Sequence, residues 1–393
     1  MTESFFEQLK KGYEEMVSWR RFLHQNPELS FYETNTAKFI ADKLKSFGIS
    51  VKEKVGGNGV VGLIEGRYPG KTIAFRADFD ALPIHDEKNV EYKSNVDGVM
   101  HACGHDGHTS ALLAVAKVLH NNRNQLKGKV VLLFQHAEEK PPGGAKFMIE
   151  DGALDGVDFI FGGHLATELS TGKIATRTGA IMASVDAFKI TLQGRGGHGA
   201  RPHQTIDAVA NGARLVTHLQ EIVSRRINPV EPSVVTIGSF HSGNAFNIIA
   251  DSAELEGTVR SMNNQVRQQI ETEIRAILEG MKVADKIDYS LDYTRGYPVM
   301  VNHQEEALLI EEIVRETISN DAFVQKDIVL GAEDFAYYLE QCPGAYFYVG
   351  ARNEKAETQF PHHHPRFDFD ETALLLLGQI FLLLADHYLS TNE

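Results

Sequence analysis

The stretch His-Ala-Cys-Gly-His-Asp-Gly-His-Thr, residues 101–109, places Cys103, His105 and His108 within six positions. Thiolate and imidazole together suit a borderline metal such as zinc. A buried cysteine beside helix-capping histidines would give the same letters. A second cluster, Gln-His-Ala-Glu-Glu at 135–139, closes an apolar run and precedes the turn signal Pro-Pro-Gly-Gly. Adjacent carboxylates at a strand end repel each other. A metal ion would resolve this by coordinating one and leaving the other to move protons; two solvated loop acids are the plainer reading. Gly-Gly-His-Leu puts His164 at the end of another apolar run, and Arg-Ala-Asp-Phe-Asp-Ala-Leu-Pro does the same for Asp78 and Asp80. Much later, Phe-Pro-His-His-His-Pro offers His362, His363 and His364; the chain that follows reads as folded, so these are not a tag.

The elements that must carry these residues form an α/β pattern. Residues 71–80, 128–139 and 158–165 are runs rich in β-branched and aromatic residues and read as buried strands, while 106–120 has the spacing and length of a helix. Strands alternating with helices predict a sheet covered on both faces. Four polar clusters then fall at the C-terminal ends of strands or in loops beside them, the edge where open α/β sheets bind ligands. Cys, His and Glu ligands exceed what one tetrahedral ion uses, and two ions about 3.5–4 Å apart are a natural use of the surplus. A zinc deaminase needs a C-x-x-C element, and a zincin needs H-E-x-x-H; neither is present.

From Ala183 the pattern becomes strand, helix, two strands, helix, strand, a ferredoxin-like β-α-β-β-α-β unit inserted into the first domain. The division expected is a catalytic domain of residues 1–182 and 295–393 and an inserted domain of residues 183–294. After Gly296 the alternation resumes, with a helix over 303–319, a strand over 345–350 and a last helix.

A length of 393 residues favours two domains. Hydrophobic residues at 42% and charged residues at 23% are those of an ordinary globular protein. A formal charge of −14 argues against nucleic acid and anionic membranes as partners. Two cysteines exclude a disulfide framework and fit a reducing cytoplasm. The N-terminal stretch reads as an amphipathic helix without a signal-peptide core. The apolar run at 373–389, interrupted by Gly378, Gln379, Asp386 and His387, reads as a buried packing helix.

Residues 20–33, 76–83, 100–109, 135–145, 162–164, 194–203 and 363–371 together resemble the aminoacylase/carboxypeptidase family of dinuclear metalloamidohydrolases. The branch resembled contains hippurate hydrolases, indole-acetyl-amino-acid hydrolases and N-acetyl-diaminopimelate deacetylases. The resemblance implies a metal-dependent exopeptidase-like catalytic domain with a mixed sheet, and a lid made of the inserted domain. It implies two divalent ions (Zn, Mn, Ni or Co) held by Cys103, His105, Glu139, His164 and His363, with Cys103 bridging where the wider family has aspartate. Glu138 takes the place of the general base. Asp80 takes that of an aspartate tuning a ligand; the wider family has a histidine in the place of Asp78. His198, Asn247 and Arg260 resemble groups that contact the substrate, and the lid implies a homodimer. The implied reaction is hydrolysis of small N-acyl amino acids. A dipeptidase or carboxypeptidase would use the same residues. A non-catalytic binding protein on this fold would have no use for Glu138 beside a ligand glutamate.

Overall fold

The computed structural model describes residues 2–390. Along the chain come helices α1 (Thr2–Lys11), α2 (Tyr13–Gln25) and α3 (Thr34–Ser46), then strands β1 (Ser50–Val55), β2 (Gly59–Glu65) and β3 (Tyr68–Asp78). Helix α4 (His105–Asn121) leads to β4 (Lys127–Gln135), β5 (Phe159–Ser170) and β6 (Ile174–Thr176). The middle of the chain holds β7 (Ser184–Gln193), α5 (Ala208–Glu221), β8 (Ser233–Ser242), β9 (Ser252–Ser261), α6 (Asn264–Asp285) and β10 (Asp288–Arg295). Helix α7 (Gln304–Thr317), β11 (Phe323–Gln325), β12 (Gly344–Arg352) and α8 (Ala373–Leu389) complete it.

The chain divides into two compact units. The first holds the residues up to Gly179, Val301–Asp327 and those from Glu333 on; the second holds Ala180–Met300 and Ile328–Ala332. Residues 328–332 join the second unit because the carbonyls of Val329 and Gly331 accept the Ala183 amide, at 3.2 and 2.9 Å.

The first unit is built on an eight-stranded mixed sheet of order β1-β2-β4-β3-β5-β12-β6-β11. Its centre, β4-β3-β5-β12, is parallel. These strands are buried on both faces, so they read as continuous apolar runs. Helix α4 is buried nearly all round, as expected of a helix enclosed in a core, and packs against α2, α8 and β3. Phe75, Phe347 and Phe381 interlock beneath it, with ring centroids 4.9 and 5.6 Å apart. Helix α8 is buried, and no helix among the described residues is long and apolar enough to cross a membrane. The N-terminal amphipathic stretch folds as two helices, α1 and α2.

The second unit has its own core, centred on Leu192, Leu255, Ile274 and Leu278. Its antiparallel sheet has the order β8-β9-β7-β10, the ferredoxin-like order for β-α-β-β-α-β. Burial along β7 alternates residue by residue, the pattern of a sheet with one face covered. Asp207 and Asn263 cap α5 and α6 by accepting amides of the first turn.

Candidate metal centre

Parallel register brings the polar clusters to one edge of the large sheet. Asp78, the last residue of β3, pairs with Gln135, the last of β4. His164 in β5 pairs with Tyr348 in β12. The two glycines before His164 permit close packing: a Cβ on Gly162 would lie 2.8 Å from the Tyr346 ring, and one on Gly163 2.6 Å from Leu377. Cys103 and His105 flank Gly104, whose φ of +90° makes the tight left-handed entry to α4.

Four of the five ligand candidates, His105, Glu139, His164 and His363, have one end tied and one end turned toward the others. His105 Nδ1 lies 3.0 Å from the Asp80 carbonyl and 3.2 Å from its Oδ1, while Nε2 is buried without a hydrogen-bond partner. His164 Nδ1 donates to Leu165 O at 2.7 Å, and its Nε2 stands 3.5 Å from Cys103 Sγ. The Glu139 amide donates to Asp80 Oδ2 at 3.0 Å, and Glu139 Oε1 is a buried oxygen without a hydrogen bond. His363, at φ +63°, is pinned by its amide to Ala102 O at 2.8 Å, and its Nε2 lies 3.2 Å from Glu139 Oε1. Cys103, His105 and His164 bring ligand atoms within 4.8 Å of one another, and so do Cys103, Glu139 and His363. Cys103 is common to both groups. Glu138 lies outside these two, but it joins His105 and Glu139 in a further candidate group and Glu333 and Asp334 in another; its Oε2 is 3.9 Å from His105 Nε2.

Neighbouring histidines are otherwise engaged. His108 Nδ1 donates to Asp78 at 2.6 Å and its Nε2 accepts the Leu165 amide at 2.9 Å, leaving no lone pair for a metal. His362 Nε2 lies 2.9 Å from Leu165 O, and His364 Nδ1 accepts the Arg366 amide. Asp78 is divided between His108 and Arg76, 2.6 Å away on either side.

The electrostatics call for positive charge. Burial opposes a charged His105, yet Asp78 and Asp80 overcome it and hold the imidazole up at about 10. Burial and the carboxylates of Glu139, Glu138 and Asp78 push the Cys103 thiol well above its ordinary value. Burial and the acids around it, Glu333 and Glu139 first, do the same to Glu138. Burial, with His108 and His362 alongside, keeps His164 neutral and its lone pair available. An orphaned His105 Nε2, a shared thiol and an excess of carboxylates fit a pair of divalent cations.

Asp80 contacts two of the ligand candidates at once, His105 and Glu139. Burial disfavours its charge, but His105, the Glu139 amide and Ser30 Oγ hold it below the usual carboxylate range. Asp80→Ala therefore lowers metal affinity by about 10–100-fold, measured by competition with a chelator; unchanged affinity would remove Asp80 from this role.

A further charged layer lies beneath, completed by residues that the motifs above do not include. Buried Arg76 donates to Gln135 Oε1 (2.8 Å), Asp78 (2.6 Å), Glu333 (3.0 Å) and Asp334 (2.9 Å), and Tyr346 OH donates to Glu333 at 2.7 Å. The available signal was Glu333-Asp334 before the apolar Phe-Ala-Tyr-Tyr-Leu: adjacent acids in an apolar setting, as at 138–139.

His198, Asn247 and Arg260 belong to the second unit. His198 and Ile248 pair across two short strands, and the Gly199 amide donates to Asn247 O at 2.9 Å, so His198 and Asn247 are neighbours. Both are exposed. Arg260, on β9, donates to Thr258 Oγ1 and to Val259 O. It lies eight residues along β9 from Ser252, where the His198 loop joins, which is about 26 Å in a strand. The unit therefore does not bring Arg260 together with the other two.

A family model described as peptidase family M20/M25/M40 matches residues 74–387. The chain is 43% identical over 386 residues to thermostable carboxypeptidase 2 of Saccharolobus solfataricus, covering 96% of this chain and 98% of that protein. It is 44% identical over 291 residues to an N-acyl-L-amino acid amidohydrolase of Geobacillus stearothermophilus, covering 74% and 79%. The crystal structure of the YXEP protein of Bacillus subtilis, a dinuclear metal binding peptidase, superposes with a TM-score of 0.83 at 35% identity, covering 96% of this chain and 98% of that one.

Proposed function

Because the chain belongs to peptidase family M20/M25/M40 and is a hydrolytic enzyme, we propose that it cleaves the amide bond of small N-acyl amino acids, with Glu138 as general base. The observation that carries this reading is the pair of ligand groups sharing Cys103, with Glu138 beside them but outside both. Cys103, His105 and His164 would hold one divalent ion and Cys103, Glu139 and His363 the other. A thiolate ligand favours zinc, with manganese, nickel or cobalt as the other candidates. Such a pair supplies Lewis acidity, polarising the amide carbonyl and lowering the pKa of water toward neutrality.

The protein's own groups move the proton. Glu138 takes it from the attacking water as the new C–O bond forms, then delivers it to the amide nitrogen as the C–N bond breaks. One carboxylate serves both steps because it is close to the reacting atoms without being a ligand. In this reading the second unit is the lid. His198 Nδ1 accepts the Ala200 amide at 3.0 Å, so neutral His198 carries its proton on Nε2 and can donate to the developing oxyanion. Asn247 and Arg260 hold the substrate carboxylate. The separation of Arg260 from His198 and Asn247 suits a homodimer in which they serve different copies, joined through lid edge strands. Both cysteines are free, which suits work in the cytoplasm.

The test is release of free amine by metal-stripped and metal-reloaded protein from N-acetyl, N-benzoyl and N-indoleacetyl amino acids and from dipeptides. Metal-dependent release from the acylated amino acids is expected. Release from dipeptides alone would move the protein to the carboxypeptidase reading, which the similarity to the Saccharolobus enzyme favours. No release with two ions bound would overturn both.

A further inference from the structure

The segment joining α2 to α3, residues 26–33, takes no part in the proton transfers, yet it grips the strand ends that do. The Ala81 amide donates to Glu28 O at 2.9 Å, and Ser30 Oγ donates to Asp80 Oδ2 at 2.7 Å. Glu33 reaches the other strand end. Its Oε1 accepts the Ala137 amide at 2.8 Å and its Oε2 accepts Asn58 Nδ2 at 3.1 Å. Glu33 is fully buried, and among the described residues no lysine or arginine pairs with it. A buried carboxylate without a cation is unfavourable. Burial and the nearby charge of Asp80 push this one up to about 7.

What Glu33 holds explains its presence. Ala137 sits at φ +52°, a conformation rarely adopted by a residue with a Cβ. It immediately precedes Glu138. The chain therefore turns sharply between the end of β4 at Gln135 and the two glutamates, and an amide on each side of Glu138 is anchored to a carboxylate: Ala137 to Glu33, Glu139 to Asp80. We propose that Glu33 is a positioning residue for the hydrolysis, fixing through the Ala137 amide the left-handed backbone that directs Glu138 toward His105 and Glu139. This rests on the reading of Glu138 as the base.

The experiment compares Glu33→Met, Glu33→Asp, Glu33→Gln and Glu138→Gln in the metal-loaded full-length protein, reading kcat, KM, bound metal and thermal unfolding. Methionine fills the space without an acceptor. Aspartate keeps the charge but is one methylene too short to reach Ala137. Glutamine keeps an acceptor oxygen at the right distance. The expected result is kcat about 10–100-fold lower in the Met and Asp variants, with KM and metal content unchanged, and near-normal kcat in the Gln variant. If the Met variant fails to fold, the Asp variant decides. A folded Met or Asp variant with normal kcat overturns the inference. So does a loss that comes with lost metal or raised KM, or one that Gln shares in full. Glu138→Gln separates the two readings: inactive Glu138→Gln beside a normal Glu33→Met sinks the positioning role alone, whereas active Glu138→Gln sinks the base assignment and the inference with it.

Discussion

Glu138→Gln keeps both cations and lowers kcat by about 10²–10⁴-fold, the range general acid–base catalysis supplies. Cys103, His105, Glu139, His164 and His363 make up the two groups that share the thiol, and Glu138 belongs to neither of these, though it stands with His105 and Glu139 in another; in the proposed two-cation reading an amide in its place removes no ligand. It removes a proton acceptor whose basicity the surroundings raise. Without cations, burial and the carboxylates of Glu333, Glu139, Asp334 and Asp80 push the acid far above its ordinary range. Cations nearby would favour the ionised form and oppose that rise. Metal content by elemental analysis and steady-state kcat on one N-acyl amino acid check this. A variant with both metals and wild-type turnover would sink the assignment.

Cys103→Ala has the larger expected effect, loss of both cations and of all measurable turnover, because one side chain completes both groups. Cys103→Asp should recover part of the binding, since a carboxylate would also offer ligand atoms to both groups. The pH dependence follows from the thiol. Burial and the carboxylates of Glu139, Glu138 and Asp78 raise it, so in the cation-free protein it is protonated at neutral pH. Binding a cation expels that proton. Each unit by which pH falls therefore weakens binding by about tenfold for this proton, and calorimetry in buffers of different ionisation enthalpy reads the release directly. Two bound metals per chain in Cys103→Ala would show that the thiol is not a ligand the two ions share.

The parallel core was readable because strands buried on both faces must be continuously apolar, and the second unit because its strand and helix periods alternate cleanly. What escaped depended on long-range pairing. The strand expected to run to residue 139 stops at Gln135, because Ala137 turns left-handed against Glu33, more than a hundred residues earlier; nothing in the local residue types foretells a positive φ at alanine. Glu333 and Asp334 follow a short strand and a loop without periodicity, and their role appears only when Arg76 meets them. His108 resembles a ligand by type and spacing, yet both its nitrogens are taken. Among the three histidines before Pro365, separate partners for His362 and His364 leave His363 facing Glu139.

The sheet order also bears on how the molecule is made. Strand β12 lies between β5 and β6 in the sheet but far from both along the chain. Residues 171–343 must be synthesised between β5 and β12, which takes roughly 9–35 s at about 5–20 residues per second. The second unit is mostly one continuous stretch and can close on its own in that time. Through the same interval the β5 edge is a bare, apolar template for pairing with other chains. Nascent protein is therefore most prone to aggregate in this window, and a chaperone that shields the β5 edge until β12 emerges would raise the yield of folded enzyme.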